Sequence, residues 1–337
     1  MSAQIVFLFL LIFNFILILN FKNISKIIKI YDYPDQIRKF HKKPIPILGG
    51  IFLYITFLII FIIKYFFNEQ YLDLIGFSEK DFLIFFLCST IIFFVYLFDD
   101  LKSLSPNIKL FLLILIIFIY LLFESNAVIT ELRFTFSEEK IFLKYYSIPF
   151  TLLCFLLFIN AFNMFDGINL QCGTYSLLIF ILLYLLTKNL AILYFVVPVL
   201  FFLTLNYKNN CFLGNNGSSL LSFIAAVLII KIYNYNKIIF ADDIFLIMCI
   251  PGFDLLRLAF IRLINKKHPF YPDRNHLHHL LMSKYGVNLT VWIIQFIIIV
   301  PNVLNYFTNI SAISLIILSL FFYSFLILYK NKLNKFI

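Results

Sequence analysis

Long apolar runs separated by short polar loops set the layout of this chain. With roughly 20 apolar residues needed to cross a bilayer core of about 30 Å, the runs predict eleven helices. They lie near 4–21, 48–67, 82–98, 108–123, 147–163, 174–187, 190–206, 217–233, 240–261, 289–306 and 311–329. The sixth and seventh are divided only by Lys188 and Asn189, which predicts a tight helical hairpin. The expected fold is an all-α, polytopic integral membrane bundle of about 11 transmembrane helices. Because no polar stretch exceeds about 30 residues, too few for a separate water-soluble core, one membrane domain is expected over 1–337. The loop Glu124 to Lys144 holds a β-like piece, LRFTFS.

Charge orients the bundle. Lys22, Lys26, Lys29, Arg38, Lys39, Lys42 and Lys43 follow the first run, and Arg262, Lys266, Lys267, Arg274 and Lys284 lie after the ninth. Basic loops stay in the cytoplasm, so the N-terminus is expected outside and the C-terminus, with Lys330, Lys332 and Lys335, inside. Composition agrees with this picture: 63% of the 337 residues are hydrophobic and 13% charged, outside the range of a soluble domain. The net charge of +10 sits in short loops, where it serves topology and anionic lipid and gives no reason to expect nucleic acid. Cys88, Cys154, Cys172, Cys211 and Cys249 form no CxxC pair and read as small core residues. Ile5 to Phe21 lacks a basic leader and a small-x-small cleavage site, so it counts as a retained span.

The unusual polar groups fall in the five loops expected on the cytoplasmic face. RKFHKKPIPILGG, residues 38–50, gathers a basic cluster ending in Lys43, suited to an anionic headgroup or to topological anchoring. Asp99 and Asp100 stand side by side at the end of the third run, with Lys102 and Lys109 nearby. Adjacent carboxylates repel, and a divalent cation or a lysine relieves that repulsion. In NAFNMFDGINLQCG, Asn160, Asn163, Asp166 and Asn169 recur every third residue, which on a helix puts them on one face suited to a nucleobase, ribose or sugar; helix capping is the plainer alternative. FLGNNGSSLL leads a Gly-x-x-Gly-Ser turn into a helix, whose N-terminal amides suit a phosphate, with Ser218 as a simple N-cap on the plainer account. NKKHPFYPDRNHLHHLL sets Arg274, His276, His278 and His279 beside Asp273. Hydrogen bonding to a diphosphate is preferred there over zinc, since HxHH has no clear fourth ligand and basic surroundings. Upstream, Asp254 and Arg257 are one helical turn apart and can pair.

In that order, DDLKSLSP, NAFNMFDG, the Gly-x-x-Gly-Ser turn and DRNHLHHLL resemble the motifs of the polyprenyl-phosphate N-acetylhexosamine-1-phosphate transferases, glycosyltransferase family 4. The resemblance spans about residues 38 to 285. It looks closer to the branch that primes O-antigen, enterobacterial common antigen and teichoic-acid glycans than to the phospho-MurNAc-pentapeptide translocases. It implies a Mg²⁺-dependent enzyme, with Mn²⁺ as an alternative ion, of the bacterial inner membrane and with a cytoplasmic site. Such an enzyme takes a UDP-sugar and polyprenyl phosphate, typically undecaprenyl phosphate, to polyprenyl diphosphate-sugar and UMP, priming cell-envelope glycan synthesis.

By the same resemblance Asp99, Asp100, Asp166 and His278 are expected to be catalytic, and Asp100, Asp166 and Asn215 to hold the metal. Lys43, Lys109, Asn160, Asn163, Asn169, Ser218, Arg274, His276 and His279 are expected to bind substrate. The chain departs from the family pattern twice: Asn215 stands where Gly-Asp-x-Gly-Ser has its acid, and Asn169 replaces the second acid of DGxDG. An amide oxygen coordinates Mg²⁺ without adding charge, so weaker metal binding is expected; a weakened or inactive relative is the alternative. A flippase would instead place charges inside its spans and break helices in both halves. The sequence leaves open whether two copies pair as a homodimer.

Overall fold

A computed structural model of the protein describes residues 3–34, 43–67, 72–238, 240–267 and 275–333. Its helices are α1 (Ala3–Leu19), α2 (Phe21–Ile28), α3 (Gly49–Phe67), α4 (Glu79–Leu101), α5 (Pro106–Phe123), α6 (Ser147–Phe165), α7 (Gln171–Thr187), α8 (Leu193–Tyr207), α9 (Gly214–Asn234), α10 (Ala241–Ile264), α11 (Leu277–Phe307) and α12 (Ala312–Leu333). Every apolar run is helical, as it must be where lipid offers no partner to a backbone amide. Among the described residues eight helices are long and apolar enough to cross a membrane, or nine if α1 with α2, bent by 66°, is counted as one span. The all-α membrane fold therefore stands, while α7 and the apolar part of α12, Ala312–Leu328, are shorter than these eight helices.

The chain groups into two compact units, Met1–Val128 with Gly173–Lys237, and Ile129–Cys172 with Ile238–Ile337. In the first, α9 is the central helix, buried at every residue from Asn216 to Tyr233, with α3 and α4 against it. The approach of α3 depends on Gly50, where a methyl group would overlap the Asn216 side chain and the Gly217 backbone. The Gly49 and Gly50 amides donate to the carbonyls of Phe212 (3.0 Å) and Leu213 (2.9 Å), which sets the start of α3 beside the start of α9. Between α1 and α3, the Thr56 hydroxyl donates to Asn14 Oδ1 at 3.0 Å in the buried seam.

At the other end of α9 lies a buried ion cluster that hydropathy alone conceals. Lys231, 0% exposed, contacts the Gly76 carbonyl (2.7 Å), Glu124 Oε1 (3.1 Å) and Asp81 Oδ2 (3.5 Å), with its ammonium 4.0 Å from the centre of the Phe77 ring. Asp81 also completes a capping box with Ser78 at the start of α4. Burial pushes the Glu124 carboxyl up from 4.5 to about 7; a hydrogen bond with Asp81 acts in the same direction and Lys231 opposes it. The folded chain therefore keeps a proton on Glu124 that the unfolded chain releases above pH 4.5. That contribution is full below about pH 4.5 and is lost as pH rises to about 7. Wild type in detergent is expected to lose Tm between pH 5 and pH 8 and Glu124→Gln to flatten that fall; equal slopes would mean Glu124 does not titrate in this window.

In the second unit, α10 packs on α6, α11 and α12. The β-like piece forms an antiparallel hairpin of β1 (Glu131–Phe134) and β2 (Ser137–Phe142). Asp242 in the first turn of α10 pins its tip, accepting from the Thr135 amide (3.0 Å) and hydroxyl (2.6 Å). One boundary differs from expectation. A helical segment that the sequence did not predict begins at Leu277 and ends at Gly286 (φ 73°), where the backbone leaves helical geometry ahead of the run expected from 289, so His278 and His279 lie in a helical first turn and not in a loop.

Candidate active site

In the first unit the paired aspartates end α4, and the start of α9 comes to meet them. Asp99 is buried; its Oδ1 accepts from the Leu104 amide (2.8 Å), and its Oδ2 pairs with Lys109 Nζ (2.7 Å) and accepts from Asn215 Nδ2 (2.9 Å). Asp100 faces the backbone of α9: Oδ1 accepts from the Asn215 amide (3.1 Å), and Oδ2 from the Asn216 amide (3.0 Å) and Asn216 Nδ2 (2.6 Å). Gly214, at φ 80°, makes the turn that aims these amides. An anion at this helix N-terminus is thus what the sequence leads one to expect, but in the structure the anion is the protein's own Asp100 carboxylate. Ser218 is not the N-cap, because the helix begins four residues earlier; its hydroxyl donates to the Asn215 carbonyl at 3.3 Å within the first turn.

Asn216 went unrecognised in the sequence because it occupies the variable position of the Gly-x-x-Gly-Ser turn. Yet it is fully buried and gives Asp100 two of its three hydrogen bonds. A second consecutive amide at the mouth of a buried helix was the available signal. Lys109, expected as a neighbouring cation, is paired with Asp99. Lys43 is exposed, and Arg274 lies outside the described residues.

The second unit holds the other set. α6 ends at Phe165, and Asp166 caps it, its amide donating to the Asn163 carbonyl (3.2 Å) while the Gly167 amide turns back to Phe165 (2.9 Å). The single helical face expected from the three-residue spacing therefore stops at Asn163: Asp166 and Asn169 lie past the helix end, and Leu170 takes a left-handed φ of 70°. Asn160 spends its amide on its own helix, donating to the Leu156 carbonyl at 2.7 Å.

His276 precedes α11 as its N-cap residue, and its Nδ1 meets Asp254 Oδ2 at 2.8 Å. The His276 and His278 rings stack, 5.4 Å apart and 9° from parallel, with His279 4.2 Å from His278. His278 is 2% exposed, and its Nε2 has no hydrogen-bond partner among the described residues. The ring lies against Gly167, where any side chain would collide with it. A buried ring nitrogen without a protein partner calls for an explanation, and a ligand atom supplies one. The expected Asp254–Arg257 pair forms at 2.9 Å. Among the described residues no three His, Cys, Asp or Glu side chains gather as a ready metal cage, and the cysteines form no disulfide.

The fold and these two polar clusters define a polytopic membrane protein with acid, amide and imidazole groups collected at the ends of its helices. The model of glycosyl transferase family 4 matches residues 82–233, which contain Asp99, Asp100, Asn163, Asp166 and Asn215. Similar chains named undecaprenyl-phosphate alpha-N-acetylglucosaminyl 1-phosphate transferase occur in Yersinia pestis (28% identity over 84% of this chain and 77% of that one) and Thermotoga maritima (29%, over 83% and 82%). A third, in Escherichia coli O157:H7, is 27% identical over 77% of this chain and 71% of its own. Over residues 82–233 the chain is thus similar to glycosyl transferase family 4, the family whose motifs it resembles.

Proposed function

We propose that this protein transfers an N-acetylhexosamine 1-phosphate from a UDP-sugar to undecaprenyl phosphate at the cytoplasmic face of a bacterial inner membrane. The observation that carries the proposal is the Asp99–Asp100 pair at a span end, held by Lys109, Asn215 and Asn216. In the reaction an oxygen of the lipid phosphate bonds to the sugar-bearing phosphorus of the donor. The bond from that phosphorus to the bridging oxygen breaks, and UMP leaves with the electron pair.

The donor set suits Mg²⁺. It is all hard oxygen, and Oδ1 of Asp99 and of Asp100 each accept a single hydrogen bond, so lone pairs remain. Asp100 with Asn215 would hold the ion, which when bound neutralises charge on the transferring phosphates. Two carboxylates against one Lys109 leave a net negative charge that favours a cation. Asp99 and Lys109 receive the lipid phosphate, already largely ionised near pH 7, so orientation matters there more than proton removal. His278 donates from Nε2 to a phosphoryl oxygen, while Asn163, Asp166, Asn169 and His279 hold the nucleotide sugar.

Membranes containing the full chain, given UDP-GlcNAc and undecaprenyl phosphate, are expected to release UMP in a Mg²⁺-dependent manner and to yield a polyprenyl diphosphate-sugar detectable by mass spectrometry. No product from a panel of UDP-sugars would refute the assignment. Asn215→Asp would restore the acid of the family pattern but turn a donor to Asp99 into a second repelling carboxylate. The variant is therefore expected to need less Mg²⁺ for half-maximal rate and to gain more thermal stability from added Mg²⁺ than wild type. Unchanged values in both measurements would remove Asn215 from the metal site.

A further inference from the structure

We propose that Asp254 is a positioning residue for the histidines of α11: it fixes the tautomer of His276 and, through the stacked rings, the presentation of His278 Nε2. As a role in the reaction, this rests on the transferase reading above.

The carboxylate divides its duties. Oδ1 takes the contacts that knit the unit together: the Leu277 amide (3.1 Å), Arg257 Nη2 (2.9 Å) and the Tyr323 hydroxyl (2.8 Å) from α12. Arg257 is itself held by the Tyr323 oxygen (2.6 Å from Nε) and the Asn275 carbonyl (2.6 Å from Nη2). Oδ2 serves His276 Nδ1 at 2.8 Å. A carboxylate oxygen only accepts, so Nδ1 carries the proton. The opposite ring nitrogen, Nε2, faces Arg262 Nη2 at 3.5 Å, and guanidinium only donates, so Nε2 is the acceptor. His276 is thus fixed from both sides in one tautomer and one orientation, and both of its nitrogens are engaged within the protein.

This arrangement changes what His276 can do. Expected from sequence as a donor to diphosphate, it serves here as a wall for its neighbour: its ring lies parallel to that of His278 at 5.4 Å. His278 lies between that ring and Gly167, and its Nε2 meets no hydrogen-bond partner among the described residues. A purely structural ion pair of Asp254 with Arg257 would need Oδ1 alone. The second oxygen, committed to an imidazole whose far side is also fixed, is what a simple helix-to-helix clamp does not require.

The division between the two oxygens supplies the test. In Asp254→Asn the amide oxygen can keep the Leu277, Arg257 and Tyr323 contacts while an NH₂ group replaces Oδ2. His276 must then move its proton to Nε2, where it meets Arg262 donor to donor, or turn its ring.

With only five histidines in the chain, ¹⁵N-histidine NMR of the full protein in detergent can follow this, the His276 signals being assigned by their loss in His276→Gln. Wild type is expected to show His276 protonated at Nδ1. Asp254→Asn is expected to lose that signature and to lower kcat on the order of 10- to 100-fold, as loss of a partner that orients a functional histidine does, with KM for the UDP-sugar changed far less. Tyr323→Phe, which removes an Oδ1 contact, is expected to lower thermal stability while keeping the wild-type tautomer. A wild-type His276 protonated at Nε2, or an Asp254→Asn protein with wild-type signature and kcat, overturns the proposal. Should Asp254→Asn fail to fold, the wild-type spectrum decides alone. If wild type makes no product from any UDP-sugar, the transferase reading fails while the spectra still test the Asp254–His276 link.

Discussion

Asp100→Ala is expected to lower product formation on the order of 10³-fold, comparable with removing a principal charge-stabilising group from a phosphoryl or acyl transfer site. The side chain does two things at once. It brings one of the two carboxylate charges of the cluster, and it is the acceptor for three donors: the amides of Asn215 and Asn216 and Asn216 Nδ2. Alanine removes both functions and leaves those donors facing the gap; each unmatched donor that stays dry costs about 1–3 kcal/mol. Asp100→Asn separates the two effects. It keeps an acceptor oxygen of the same reach but no charge, so it is expected to be nearly as inactive as alanine yet closer to wild type in thermal stability. Activity is to be measured per mole of protein that elutes as a single species in detergent. Full activity in Asp100→Ala would remove this residue from the chemistry, and wild-type activity in Asp100→Asn would mean that its charge is not used.

The legible features were those written along the chain axis. Apolar runs gave the helices, and the adjacency of Asp99 and Asp100 gave one acidic pole. The i, i+3 spacing of Asp254 and Arg257 gave their pair, and the β-like piece LRFTFS marked the first strand of the hairpin but not its partner. The features that were not legible depend on which face of one helix meets another across a long stretch of sequence. Asn216 meets Asp100 from 116 positions away, and Tyr323 meets Asp254 from 69. Neither distance leaves a periodic trace. The histidines illustrate a different limit. The non-helical Gly286 is a true boundary before the run expected from 289, and what went unread is the short helical segment from Leu277 that precedes it, too polar to show in an apolar pattern. Phosphate at the start of α9 was inferred from correct chemistry with the wrong guest, because a carboxylate on α4 reaches the same amides first.

Lys231 shows the cost of reading a charge by its position alone, and it carries the second large expected effect. In the sequence it is one basic residue near the end of an apolar run, where snorkelling to the membrane surface would be the ordinary expectation. In the structure it is fully buried and turned inward to Glu124, Asp81 and the Gly76 carbonyl. Removing one partner of such a cluster leaves the other charges desolvated, which costs about 3–5 kcal/mol, whereas removing charges in matched pairs costs far less. Lys231→Met is therefore expected to destabilise the protein by that amount in thermal or denaturant unfolding in detergent. Adding Glu124→Gln is expected to recover part of the loss, with a coupling of about 1–3 kcal/mol between the two sites. The rescue is the informative arm. A surface-seeking lysine would lose little on substitution and show no coupling to Glu124, whereas a lysine holding the buried Glu124 and the half-buried Asp81 must show both.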